Sequence, residues 1–212
     1  AKSTIKYEIP FMLIITALFT VLGFTGNAIV LWEGIVLLAA FVLYLLYMLK
    51  MAKDNPEEID DHSKNYSIVR LLIMTVIGLV LIVWGSDVTV DAATKIAQFI
   101  GLSEKFIGLT IVALGTSLPE LFTSVMAARK GNADIAIGNI VGSNIFNILF
   151  VVGLSALITP VAFVSSFVVD CLVSVFAGVL LWLCVFKKKK LSRVDGIIML
   201  VCYGAYFVYL IL

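Results

Sequence analysis

The stretch "ALGTSLPELFTSV", residues 113–125, interrupts a chain that is otherwise strongly apolar. It places Pro119 and the ionisable Glu120 where a membrane helix is expected to carry leucine. Pro119 has no backbone N–H and its ring clashes with the preceding turn, so a helix over 105–129 should kink or break around residues 114–116. The stretch therefore predicts a broken helix that carries a carboxylate.

Composition indicates the environment of this helix. Hydrophobic residues make up 62% of the 212 residues and charged residues 14%, and the mean hydropathy is +1.13. A soluble domain of this size needs a more polar surface. Apolar segments long enough to cross a hydrocarbon core of about 30 Å recur along the chain. We predict seven spans, over 9–29, 32–51, 68–98, 105–129, 134–157, 163–186 and 194–212. None alternates in the manner of a barrel strand, so the fold class is an all-α integral membrane protein.

The distribution of Lys and Arg predicts the orientation of the spans. Thirteen of the fifteen basic residues lie on the side of the N-terminus, and only Lys95 and Lys105 lie opposite. Because cytoplasmic loops carry the excess of Lys and Arg, we expect a cytoplasmic N-terminus and an external C-terminus, in a plasma or inner membrane. The mixed-charge segment 52–67, which contains His62, is then a solvated cytoplasmic loop. A regulatory ion-binding role for its acidic cluster is the alternative.

Other chemistry-bearing residues point to no further site. Cys171, Cys184 and Cys202 lie in apolar spans without CxxC spacing, so we interpret them as small packing residues. We expect no enzymatic activity, no bound cofactor and no nucleic-acid partner. The lipid bilayer is the expected surrounding.

An internal repeat appears when the chain is shifted by 162 residues. The segment "EGIVLLAAFVLYLLY", from Glu33, then aligns with "DGIIMLVCYGAYFVY", from Asp195. Matching glycines and tyrosines are the pairs Gly34 and Gly196, Tyr44 and Tyr206, and Tyr47 and Tyr209. Under the predicted topology the two helices run in opposite directions, as in the inverted repeats of secondary transporters. Chance similarity between two apolar helices is the alternative.

The same shift bears on how complete the chain is. The counterpart of Glu120 falls about 42 residues before Ala1. We therefore expect 68–212 to be one complete five-helix repeat and 1–51 to be the last two helices of another, with roughly 95 further residues in an intact two-repeat protein. A natural half that assembles with a partner, or a homodimer, is the alternative.

Two groups of polar residues could supply ligands to a cation. The Thr116 hydroxyl and the Glu120 carboxylate share one helix face. The predicted break, which includes Gly115, frees backbone carbonyls near Ala113 and Thr116, and such carbonyls are hard oxygen ligands for Na⁺ or Ca²⁺. A carboxylate at membrane depth marks an ion or proton pathway by default.

The second group lies in "GNIVGSNIFNILF", residues 138–150. Polar residues four apart form a stripe on one helix face, namely Asn139, Ser143 and Asn147. Gly138 and Gly142 add a small-residue surface that permits close helix approach. The stripe alone is equally compatible with hydrogen bonding between helices. Together with Glu120, it favours an oxygen-lined cation site.

These motifs resemble a known family. "GLTIVALGTSLPELFTSVMAARKG" followed by "IGNIVGSNIFNILFVVGL" is similar to the second alpha-repeat of sodium/calcium exchangers, in the cation/calcium antiporter superfamily. The resemblance implies a fold of ten helices in two inverted repeats, with the ion-binding alpha-repeat here at 105–157. Residues 1–51 would close the first repeat, and 52–67 would be the cytoplasmic connecting loop.

The resemblance also implies roles for individual residues. Glu120 resembles the carboxylate shared between the Ca²⁺ and Na⁺ sites. Thr116 would supply a carbonyl and a hydroxyl, Ala113 a carbonyl, and Ser143 a hydroxyl for Na⁺. Asn147 stands where many members have Asp, which removes a carboxylate and leaves open whether Na⁺ or H⁺ drives transport.

The long helix 68–98 resembles the gating helix of the family, and its polar "GSD" segment contains Gly85 and Asp87. The implied mechanism is alternating access, in which Ca²⁺ and the counter-ions compete for overlapping oxygens and helices beside the site slide. Other acidic residues are expected at solvated or interfacial helix ends, namely Asp91, Asp170 and Glu33.

Three functions remain open at this point. The first is a Ca²⁺/Na⁺ antiporter, present here as a fragment or half. The second is a cation/proton exchanger of the same superfamily. The third is a non-transporting membrane fragment or assembly subunit, since Glu120 alone provides one carboxylate where the intact family provides at least two.

Overall fold

The computed structural model describes residues 4–54, 67–101, 107–164, 167–188 and 191–211. The α-helices in these residues are α1 Ile9–Gly26, α2 Leu31–Asp54, α3 Ile68–Phe99, α4 Ala113–Thr116, α5 Leu118–Arg129, α6 Ala133–Phe146, α7 Gly153–Ile158, α8 Phe167–Lys188 and α9 Arg193–Ile211. Three π-helical segments accompany them: Thr4–Glu8 leads into α1, Gly108–Val112 leads into α4, and Asn147–Val152 joins α6 to α7. The predicted loop around His62 lies outside the described residues.

The described helices confirm an all-α integral membrane protein of the multi-pass type. Six of them are long and apolar enough to cross a membrane, and the bent pair Thr110–Thr116 and Leu118–Arg129 brings the number to seven. Large apolar side chains are widely exposed on these helices, and Phe99, for example, is 92% exposed. Such surfaces are stable in a hydrocarbon solvent, because lipid tails are as apolar as the side chains themselves.

The described residues divide into two compact units. The larger unit comprises Ala1–Lys53 and Ser124–Leu210, and the smaller comprises Asp54–Thr123. In the larger unit, α1 contacts both α8 and α6. The buried apolar residues of this core include Ile9, Met12, Ile15, Val141, Ile145, Leu181 and Val185.

Close approaches between helices organise the larger unit. A Cβ placed on Gly178 of α8 would lie 2.7 Å from Leu13 Cδ2 of α1, so this glycine permits the contact of the two helices. On the same pair, Trp182 Nε1 donates a hydrogen bond of 3.1 Å to the carbonyl oxygen of Ile5. Apolar packing and a satisfied indole N–H therefore tie α8 to α1 and the π-helical turn before it.

A short antiparallel ribbon in the same unit was not predicted. Strand β1, Ala28–Ile29, pairs with strand β2, Val161–Ala162, so that Ala28 lies opposite Ala162. The ribbon joins the α1–α2 connection to the α7–α8 connection. Its ladder supplies partners for backbone groups that leave the helices, which a membrane protein has to provide internally.

The helix starts of α2 and α9 match each other at the 162-residue shift. The backbone N–H of Val30 donates to Glu33 Oε2 at 2.8 Å, and that of Ser192 donates to Asp195 Oδ2 at 2.9 Å. Both acids therefore cap a helix N-terminus from the third helical position. Glu33 was expected at a solvated interface, but it is only 4% exposed because its carboxylate is used as a cap.

We predict that Gly34→Val destabilises the larger unit. A Cβ on Gly34 would lie 2.8 Å from the Gly153 carbonyl oxygen and 2.8 Å from Ala156 Cβ, so α2 and α7 would have to separate. Overpacking of this kind costs about 1–3 kcal/mol. The measurement is the apparent melting temperature of the purified protein in detergent. Gly204→Val is the matched control, since a Cβ there meets nothing within 4 Å among the described residues. Equal shifts for the two variants would contradict the packing argument.

Candidate functional site

The helix that carries Glu120 is interrupted at Ser117. α4 ends at Thr116, α5 begins at Leu118, and the two are bent by 52°. The N–H of Ser117 donates to Leu114 O at 3.1 Å, and the Ser117 carbonyl accepts from the N–H of Leu121 at 3.0 Å. The interruption lies just beyond the predicted region 114–116. Proline is tolerated in the first turn of a helix, where its missing N–H has no intrahelical acceptor, so α5 can begin immediately before it.

Glu120 lies in the first turn of α5 and is partly buried. Its Oε2 atom is fully shielded from solvent. The N-terminus of a helix carries a partial positive charge, which favours a carboxylate in this position. The break thus provides an electrostatic reason for an acidic side chain to remain ionised inside an apolar segment.

Thr116 and Ala113 are brought together by a hydrogen bond. The Thr116 hydroxyl donates to the Ala113 carbonyl oxygen at 3.0 Å, and both residues are exposed. A hydroxyl that donates its proton still has oxygen lone pairs to offer. The pair can therefore present hard oxygen to a cation, provided that the carbonyl shares its density with the hydroxyl.

α4 packs closely on α3 within the smaller unit. Gly115 is buried, and a Cβ built on it would lie 1.8 Å from Val90 Cγ2. Two further polar side chains are buried here: Thr110 is 4% exposed and Ser86 is 7% exposed. Ser86 Oγ makes no hydrogen bond within the described part of the chain. Sequence reasoning singled out the flanking Gly85 instead, because periodicity alone does not distinguish the inward residue of a wholly apolar helix.

The remaining acidic residues of α3 are solvated. Asp87 is exposed, and Asp91 forms an ion pair with Lys95 at 2.6 Å on an exposed surface. The carbonyl of Gly85 accepts from the Thr89 hydroxyl at 2.7 Å. Exposed pairs of this type contribute little to stability. The gating role that the resemblance assigned to Gly85 and Asp87 stays a prediction.

The polar stripe on α6 is partly used for packing. Asn139 Nδ2 donates to Ser124 Oγ at 3.0 Å, and Ser124 Oγ donates to the Ala136 carbonyl at 3.3 Å. These bonds join α6 to the C-terminal half of α5 within the larger unit. A Cβ on Gly138 or Gly142 would meet nothing within 4 Å among the described residues. Asn139 therefore already takes part in hydrogen bonding between helices.

Ser143 and Asn147 lie further along the stripe. The Ser143 hydroxyl donates to the Ile140 carbonyl at 3.0 Å, so it engages its own helix. Asn147 is exposed and is the first residue of the π-helical segment Asn147–Val152. Another π-helical segment, Gly108–Val112, ends immediately before Ala113. π-Helical turns are frequent at functional sites, and no sequence pattern available here indicates them.

The two candidate groups belong to different units. Glu120, Thr116 and Ala113 are in the smaller unit, and Ser143 and Asn147 are in the larger. The described residues contain no group of three or more His, Cys, Asp or Glu side chains placed to hold a metal ion. The donor set is thus one carboxylate supplemented by hydroxyl, amide and carbonyl oxygens, which suits weakly held Na⁺ or Ca²⁺ better than zinc.

Comparison with known proteins bears directly on these motifs. The profile of the family described as sodium/calcium exchanger protein matches residues 70–212. The chain belongs to the sodium/calcium exchanger family. The match includes both motif segments, and it places the protein in the cation/calcium antiporter superfamily that the resemblance indicated.

Several relatives in this family share most of the chain. The inner membrane protein YrbG of Escherichia coli (strain K12) is 35% identical over 85% of this chain and 60% of its own length. The sodium/calcium exchanger MaX1 of Methanosarcina acetivorans is 42% identical over 57% of this chain and 34% of its own. A structure of the sodium-calcium exchanger NCX_Mj soaked with Na⁺ and Sr²⁺ matches with a TM-score of 0.79 and 33% identity. That match covers 98% of this chain and 66% of the exchanger, so this chain spans about two thirds of that protein.

We predict that Gly115→Ala destabilises the contact of α4 with α3. The new Cβ would overlap Val90 Cγ2, and relieving the overlap should cost about 1–3 kcal/mol. Val90→Ala in the same protein should restore most of the loss, because it removes the overlapping methyl groups. Melting temperatures of the two single variants and the double variant test this. Gly138→Ala serves as the control, since its Cβ meets nothing within 4 Å in the described residues. Additive rather than compensating effects of Gly115→Ala and Val90→Ala would be inconsistent with the contact.

Proposed function

We propose that this protein is a secondary active cation antiporter that exchanges Ca²⁺ for Na⁺ by alternating access. The observation that carries the proposal is the interruption at Ser117, which puts Glu120 in the first turn of α5. An ionisable side chain beside a broken helix in an apolar span is the arrangement expected of an ion pathway. Membership of the exchanger family supports the same activity.

Glu120 is the charged ligand in this proposal. Thr116 and Ala113 add a hydroxyl and a carbonyl oxygen on the preceding helix, and their mutual hydrogen bond of 3.0 Å keeps the two oxygens together. Ser143 and Asn147 remain candidate ligands by motif position. Ca²⁺ and Na⁺ are both hard cations that take oxygen ligands, so they can compete for one set of donors. Competition of this kind couples the outward movement of one ion to the inward movement of the other.

A complete site requires more negative charge than these motifs contain. Ca²⁺ sites use several carboxylate and carbonyl oxygens, whereas Glu120 is one carboxylate. We propose that a first repeat, or a second copy of the chain, supplies the rest. Gly34 lies against Gly153 and Ala156, whereas its repeat counterpart Gly196 has nothing within 4 Å among the described residues. The contact missing at Gly196 is the one that a first-repeat helix would make.

The orientation is also a proposal. Thirteen of the fifteen Lys and Arg residues lie on the side of the N-terminus of the predicted spans. This asymmetry favours a cytoplasmic N-terminus.

A cation/proton exchanger is the second candidate, favoured by Asn147. An amide at this position cannot be ionised, so fewer fixed charges are available to hold Na⁺. Glu120 would then carry protons in place of Na⁺.

Ion flux into proteoliposomes tests the proposal. We expect Ca²⁺ uptake when the vesicles hold Na⁺ and the bath does not, and little uptake without that gradient. Glu120→Gln should abolish uptake, because the amide keeps the shape of the side chain but not its charge. Asp91→Asn is the matched control and should retain uptake, since Asp91 is an exposed residue paired with Lys95.

The alternatives give different results in the same assay. Uptake driven only by a pH gradient would replace Na⁺ coupling with proton coupling. Retained uptake in Glu120→Gln would refute the assignment of the charged ligand. An absence of flux from the complete assembly, including any first repeat, would leave the non-transporting subunit as the function.

A further inference from the structure

Two clefts in the larger unit correspond to each other at the 162-residue shift. One is a cleft of about 500 Å³ between α8 and α9, whose lining includes Val169, Val173, Cys202, Ala205, Tyr206 and Tyr209. The other is a cleft of about 370 Å³ between α1 and α2, whose lining includes Tyr7, Phe11, Ala40, Leu43, Tyr44 and Tyr47. Each residue of the first set stands 162 positions after one of the second. Both volumes are in the range of ligand sites.

Each cleft has a carboxylate at the corresponding position. Asp170 accepts a hydrogen bond of 2.7 Å from the Tyr206 hydroxyl, which crosses from α9 to α8. Its counterpart Glu8 lines the α1–α2 cleft, is 5% exposed, and accepts from the Thr4 hydroxyl at 3.3 Å. The rest of both linings is almost wholly apolar or aromatic. A carboxylate at one end of an apolar groove gives each cleft the polarity of an amphiphile.

The two clefts differ in positive charge. Lys6 Nζ lies 5.1 Å from the centre of the Tyr7 ring, so the α1–α2 cleft contains its own ammonium group on an aromatic face. The residue 162 positions after Lys6 is Val168. Asp170 forms no ion pair within the described part of the chain, and Tyr206 provides its hydrogen bond there. A carboxylate can accept several hydrogen bonds, and its charge is costly in an apolar segment unless a cation compensates it.

We propose that the cleft between α8 and α9 binds a phospholipid with a primary-ammonium headgroup, such as phosphatidylethanolamine. The ammonium group occupies the place that Lys6 takes in the other cleft, near Asp170 and the tyrosine rings, of which Tyr206 and Tyr209 are stacked with centres 6.2 Å apart. An acyl chain lies along the apolar wall. Tyrosine is enriched where headgroups meet hydrocarbon, which suits a headgroup at this end of the helices.

Lipid retention by the intact protein tests the proposal. The protein is equilibrated with equal amounts of phosphatidylethanolamine and phosphatidylglycerol of identical acyl chains, and native mass spectrometry counts the lipids that stay bound. We expect the ethanolamine lipid to be retained preferentially. Asp170→Asn should lower the preference about tenfold, because the amide can still accept from Tyr206 but no longer attracts a cation. Glu8→Gln is the matched control and should leave the preference unchanged, since Lys6 already compensates that cleft.

Two additional measurements separate lipid binding from misfolding and from the docking of a second chain. Tyr209→Leu keeps the Asp170–Tyr206 bond and removes an aromatic wall, so it should lower the same preference even if Asp170→Asn fails to fold. An unchanged preference in the folded variants would overturn the proposal. With Cys171 and Cys184 replaced by alanine, disulfide formation between Cys202 residues of two copies reports a second chain on the cleft. A cross-link that phosphatidylethanolamine does not suppress would also overturn it.

Discussion

Backbone polar groups inside a membrane must find their partners within the protein, and the site depends on this constraint. Pro119 cannot donate to the preceding turn, so the helix stops at Ser117 and starts again at Leu118. The carbonyls and N–H groups at the junction are then taken up by Ser117 itself and by the Thr116 hydroxyl. The same junction creates a helix N-terminus at which Glu120 can remain charged. One proline thereby determines both the shape and the electrostatics of the segment.

Much of this arrangement could be predicted because it depends on local chemistry. Apolar length is enough to locate membrane spans, and the missing N–H of proline is enough to predict a break near Pro119. The motifs around Glu120 also carried the family. Other features depend on neighbouring helices and could not be inferred from residue order. The bond between Asn139 and Ser124, the burial of Ser86 and the capping use of Glu33 are examples, since each requires knowing which face meets another helix.

The internal repeat extends well beyond matching letters. The helix starts at Val30 and Ser192 are capped in the same way, and two clefts recur with the same lining positions. The repeat is least exact in its charges, as Lys6 and Val168 illustrate. Packing positions have many neighbours that must change together, whereas a charge at the margin of a cleft can be exchanged alone. Differences between the two halves therefore accumulate where they alter ligands rather than the scaffold.

The π-helical segment that begins at Asn147 has a geometric consequence for the polar stripe. Each π turn contains one residue more than an α turn, so side chains beyond it are rotated relative to those before it. Asn139, Ser143 and Asn147 share a face only up to the point where this extra residue enters. After it, Leu149 and Gly153 are buried against apolar neighbours. The backbone thus works as a phase shift, by which one continuous span presents oxygens to one side along half of its length and a sealed hydrocarbon surface along the other half.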